Sequence, residues 1–120
     1  TINPMFSFAK SSWKPPIDIF ETPDSILITA EIAGVEKEDL ELEINSRAIR
    51  LSGKRTPLPS NDNGRYRQAE IQYGLFERIM NLPVMIDPEK VTASYKKGLL
   101  QINLTKLTCE TSYKIPISDE

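Results

Sequence analysis

Leu40-Glu41-Leu42-Glu43-Ile44 alternates apolar and charged residues without a break. In an extended chain successive side chains point to opposite faces, so the aliphatics share one side and the glutamates the other. Asn45-Ser46-Arg47 supplies turn chemistry, and Ala48-Ile49-Arg50-Leu51-Ser52-Gly53 returns. This predicts a β-hairpin with one buried face.

The same period extends in both directions. Ile17-Asp18-Ile19-Phe20-Glu21 reads as a short strand. After the turn at Thr22-Pro23-Asp24, residues 25–32 put Ile26, Ile28, Ala30 and Ile32 on one face. Ala33-Gly34-Val35 ends that strand, and Glu36-Lys37-Glu38-Asp39 is a charged connector. Residues 54–64 hold Pro57, Pro59 and Gly64 and are expected to form a long loop, with a short strand at Arg65 to Ala69. Tyr73 to Leu82 reads as a strand stopped by Pro83, and Asp87-Pro88-Glu89-Lys90 as a turn or a single helical turn. Val91 to Tyr95 and Leu99 to Leu104 form a last hairpin around Lys96-Lys97-Gly98. Short strands between turn signals, with no long helical period, predict an all-β, immunoglobulin-like antiparallel β-sandwich.

The ends differ. In residues 1–16, Met5, Phe6, Phe8 and Trp13 stand among Ser, Asn, Lys and Pro with no sustained period, and Pro15-Pro16 marks a boundary. The expected division is an apolar, irregular arm over 1–16, a folded domain over 17–106 and an extension over 107–120. In that extension Pro116 has no N–H and a fixed φ, so Ile115-Pro116-Ile117 cannot be a central strand. It is set as an extended segment with both isoleucines on one side.

Composition removes several classes of chemistry. There is no histidine, hence no His-dependent triad and none of the commonest metal ligand. Gly53-Lys54 is followed by Arg55 and lacks the glycine-rich lead-in of a phosphate loop, so neither nucleotide nor any other cofactor is expected. Glu36, Glu38, Asp39, Glu41 and Glu43 lie where a solvated surface is the default. No catalytic or metal-binding residue is therefore assigned. A net charge of −2 offers no general pull on nucleic acid, although Arg65 and Arg67 flank Tyr66. No apolar run approaches the about 20 residues of a membrane span. The single cysteine, Cys109, forms no intrachain disulfide and fits a reducing cytoplasm. Thr1-Ile2-Asn3-Pro4 lacks a secretory pattern, and an opening without Met fits a processed or shortened chain.

Three segments together resemble the α-crystallin domain of small heat-shock proteins (the Hsp20 family). The first runs from Ile28 to Leu40 and looks like the family's strand, Pro-Gly turn and charged connector, with Ala33 in place of the proline and Gly34 kept. The second, Tyr73-Gly74-Leu75-Phe76-Glu77-Arg78 followed by Leu82-Pro83 and Asp87, is similar to the family's Gly-x-Phe-x-Arg strand. The charged pair that often precedes it is half matched, by Glu70-Ile71. The third, Ala93 to Leu100, matches an Ala-x-x-x-Asn-Gly-Val-Leu signature at Ala93, Gly98 and Leu100, with Lys97 and Leu99 as departures.

The resemblance implies an ATP-independent holdase of the stress response: a homodimer that assembles into larger homo-oligomers and binds non-native client proteins. It implies that Ile115-Pro116-Ile117 docks in a neighbouring subunit's groove, here lined by Leu42, Ile44, Val91 and Ala93. It implies a dimer interface at which Arg65, Tyr66, Arg67, Gln68 and Ala69 pair with a partner edge at Ile17 and Ile19, with Arg78 nearby. Met5, Phe6, Phe8 and Trp13 are the expected client-binding arm. The rival reading is a co-chaperone of the related p23-like β-sandwich class, which lacks the tail motif and stays monomeric.

Overall fold

The computed structural model describes residues 13–58, 63–107 and 114–119. Seven strands are formed among them: β1 (Ile17–Glu21), β2 (Ser25–Glu31), β3 (Leu40–Ile44), β4 (Ala48–Arg55), β5 (Gly74–Asn81), β6 (Ile86–Lys96) and β7 (Leu99–Lys106). One antiparallel sheet has the order β1-β2-β7-β6 and the other β3-β4-β5. A single 3-10 turn, Lys37–Asp39, connects β2 to β3.

The period-two faces decide how the sheets meet. Ile26, Ile28 and Ala30 of β2, Ile49 and Leu51 of β4, Phe76 of β5 and Ile102 and Leu104 of β7 turn inward and are buried. Fully burying one such aliphatic or aromatic side chain contributes about 1.5–3 kcal/mol. That core is what holds two thin sheets together. On the outer face of the three-stranded sheet, Arg50 bridges Glu43 at 3.0 Å and the buried Glu77 at 2.7 Å.

Turn chemistry fixes register. Asn45 Oδ1 accepts from the N–H groups of Arg47 and Ala48 at 2.8 and 2.9 Å, which closes the β3–β4 hairpin. Lys97 and Gly98 both take positive φ, 54° and 78°, as a two-residue hairpin turn matched to strand twist requires. Gly98 is demanded twice, because a Cβ there would stand 2.9 Å from the Ala33 Cβ. Its carbonyl accepts the Ile32 N–H at 2.8 Å and ties the β6–β7 turn to the end of β2.

Three expectations change. Asp87 to Lys90 is not a turn but part of β6, with a register shift between Ile86 and Val91. The strand lies at a sheet edge, where Pro88 removes no needed donor, and Asp87 Oδ1 takes the Glu89 N–H at 3.0 Å. Arg65 to Ala69 forms no strand within this chain, and its side chains are exposed. A strand needs a second edge for its ladder, and the chain's own sheets do not supply one there.

Trp13 is not an exposed arm residue. It is 6% exposed, makes a parallel bridge to Phe76 and donates its indole N–H to the Gly74 carbonyl at 3.1 Å. Pro15 is also fully buried, and the Pro16 carbonyl accepts from Glu31 at 3.0 Å. Packing thus extends N-terminally to at least Trp13, past the expected start of the domain at residue 17. Met5, Phe6 and Phe8 lie outside the described residues.

Candidate docking groove

β3 and β6 are edges of opposite sheets, and each pairs on one side only. The alternation that fills the core therefore leaves a slot where these edges face one another. A cavity of about 210 Å³ opens there, walled by Leu40, Leu42, Leu51, Ala93, Tyr95 and Leu100, with Lys37, Glu41 and Ser94 at the rim. A cavity of roughly 150 Å³ already accommodates a benzene-sized molecule, so this one has room for a branched aliphatic side chain.

Register explains the lining. Leu42 pairs with Leu51 and Ala93 with Ile102, which places both on the inward faces. Ala93 stays exposed because its small side chain leaves the edge unfilled. Tyr95 closes one end of the slot. Its hydroxyl donates to the Ile32 carbonyl at 2.5 Å and accepts from the Val35 N–H at 3.4 Å, so the ring is fixed.

Of the four groove residues expected from sequence, Leu42 and Ala93 line the cavity. Ile44 and Val91 lie farther along the same inward faces, half-buried against the core. Leu40, Leu51, Tyr95 and Leu100 were not anticipated. For Leu40 and Tyr95 the signal was available, two residues from Leu42 and Ala93 on the same face.

The Ile115-Pro116-Ile117 segment lies open to solvent. Residues 114–119 are exposed, with Ile115 at 79% and Ile117 at 95%. At the other flank β1 pairs only with β2, and its free edge carries Ile19 and Phe20, both exposed, while Ile17 is half-buried. Arg78 donates a guanidinium N–H to the Pro15 carbonyl at 2.8 Å within the chain. Among the described residues no cluster of side chains could hold a metal ion. Among the described residues no helix is long and apolar enough to cross a membrane.

Residues 18–118 match the model of the Hsp20/alpha crystallin family. The chain belongs to that family. It is 33% identical over 104 residues to small heat shock protein C4 of Rickettsia felis, covering 87% of this chain and 64% of the relative. It is 32% identical over 95 residues to heat shock protein 16 of Schizosaccharomyces pombe, covering 78% and 66%. The chain therefore spans just under two thirds of the length of these two Hsp20 relatives. Among solved structures, heat shock protein 16.0 of S. pombe superposes with a TM-score of 0.74 at 29% identity, covering 88% of this chain and 99% of that one. A small heat-shock protein from Xylella fastidiosa, described as having a distinct high order structure, gives 0.76 at 28% identity, covering 91% and 100%. The β-sandwich with edge strands β3 and β6 is thus an α-crystallin domain, and the family is one of small heat-shock chaperones rather than enzymes.

Proposed function

We propose that this protein is an ATP-independent holdase, built from dimers that assemble through their tails and release apolar surface to unfolding proteins. The observation that carries this reading is one chain bearing both halves of a contact: a fixed apolar slot between β3 and β6, and two nearly fully exposed isoleucines on an extended segment. Burying both would contribute roughly 3–6 kcal/mol. Ordering the tail and losing rigid-body freedom consume much of that, so a single contact is weak and reversible. Several tails on one assembly act at high effective concentration, which makes the whole durable while its parts exchange.

In this reading the dimer forms first. Arg65 to Ala69, exposed and without a strand partner of its own, adds to the free β1 edge of the other subunit beside Ile17 and Ile19. Arg78 stands near that interface. Clients then meet the vacated slot and the arm residues Met5, Phe6 and Phe8. The reading keeps the cytoplasm as its setting, from the lone Cys109.

Heating an aggregation-prone enzyme with this protein, without nucleotide, tests the activity. Light scattering is expected to fall as the ratio of protein to client rises, and added ATP to change nothing. Scattering that is indifferent to the protein contradicts the holdase reading.

A further inference from the structure

We propose that the flank opposite the β3–β6 groove contains a second binding slot, shaped for an aromatic side chain of an extended segment, which the chain's own Trp13 fills until it is displaced. This flank lies between the edges of β5 and β1, and residues 13–16 run across it from Phe76 into β1.

Everything that receives Trp13 belongs to other elements. The Arg55 guanidinium lies over its ring, 4.0 Å from the centroid. The Phe76 ring meets it at 5.1 Å with a 58° tilt, and the Gly74 carbonyl takes its N–H. Arg55 is held independently: it donates to the Gln72 carbonyl at 2.8 and 2.6 Å and to the Ala33 carbonyl at 3.1 Å, and lies 5.7 Å from the Tyr73 ring centroid. The seat therefore keeps its walls when the tryptophan leaves. It offers a cation over one π-face, an edge contact and an N–H acceptor, the set that distinguishes an indole from an aliphatic chain. Two residues on, Arg78 reads the Pro15 carbonyl at 2.8 Å, a contact any extended backbone can supply.

The strap is the weakly held part. Among the described residues its backbone meets other backbone only at one isolated bridge and at the Pro16 carbonyl, whereas the sheets carry continuous ladders. Segments with few cooperative contacts open at lower free energy than the core. Heating then vacates the slot before the sandwich unfolds. An unfolding protein exposes the aromatic side chains that it normally buries. That use of the slot rests on the holdase reading; the slot itself does not.

Trp13 is the only tryptophan, so its emission reports the strap alone. On heating the full chain, Trp13 is expected to become quenchable by acrylamide at a lower temperature than the loss of far-ultraviolet β signal. Coincident transitions overturn the proposal. In Trp13→Ala, which has no tryptophan, the peptide acetyl-Trp-Lys-Pro-amide is expected to bind with a saturable blue shift. Adding Arg55→Gln is expected to weaken it about tenfold. Absence of binding to a variant with native β signal, or binding indifferent to Arg55→Gln, also overturns it. Should Trp13→Ala not fold, the heating comparison decides. Neither readout involves aggregation, so a chain that binds the peptide but protects no client contradicts the holdase reading and leaves the slot standing.

Discussion

Replacing Phe76 with alanine is expected to lower the unfolding free energy by about 3–5 kcal/mol, the range for removing a fully buried aromatic. Phe76 is 1% exposed and lies where three elements meet. On β5 it pairs with Gly53 of β4, and a Cβ at Gly53 would stand 2.5 Å from the Phe76 Cζ. Its ring also packs on Trp13. The β4 backbone at Gly53 cannot collapse into the space a missing ring leaves, so most of the cavity cost remains. Natural domains have about 5–15 kcal/mol in total, so this one change consumes much of the margin. The urea midpoint is the readout, with the m-value unchanged. Ile79→Ala, on the same strand but exposed, is expected to stay within about 0.5 kcal/mol. Similar losses for the two variants would contradict this account of the core.

The double variant Ile115→Ala, Ile117→Ala is expected to do the opposite: assembly collapses while stability holds. Both isoleucines are exposed in the chain, so folding loses nothing. Each tail contact loses the larger part of its roughly 3–6 kcal/mol. Linked contacts can raise avidity by about 10²–10⁴ over a single one, so weakening every tail at once has a disproportionate effect. Light scattering during gel filtration should show a shift from large species to dimers, with an unchanged urea midpoint when both proteins are diluted to dimers before unfolding. An unaltered mass would remove the tail from the assembly mechanism.

The strands that carry the fold were legible because their faces differ so sharply. Glu41 and Glu43 against Leu40, Leu42 and Ile44 leave only one way to bury β3, and Asn45 leaves only one place to turn. Residues 87–90 misled because proline and charge normally mark turns, whereas an edge strand tolerates both. Trp13 misled for another reason. Nothing local in residues 1–16 is periodic, and the partners that bury the indole, Arg55 and Phe76, are distant in sequence. The groove was half legible. Alternation told which side of β3 and β6 faces inward, but that both strands are edges, facing each other across two sheets, is a property of topology alone. Tyr95 becomes an end wall only because the end of β2 holds its hydroxyl.

The groove and tail can be joined directly. In a Cys109→Ser background, Ala93→Cys and Ile117→Cys place one thiol in the slot and the other on the docking motif. A disulfide forms readily only where the two Cα atoms come within about 7 Å. Mild oxidation is predicted to give a ladder of interchain-linked species on a non-reducing gel, absent when either cysteine is introduced alone. No ladder beyond that of the single-cysteine chains would mean that the isoleucine tail does not occupy the slot between β3 and β6.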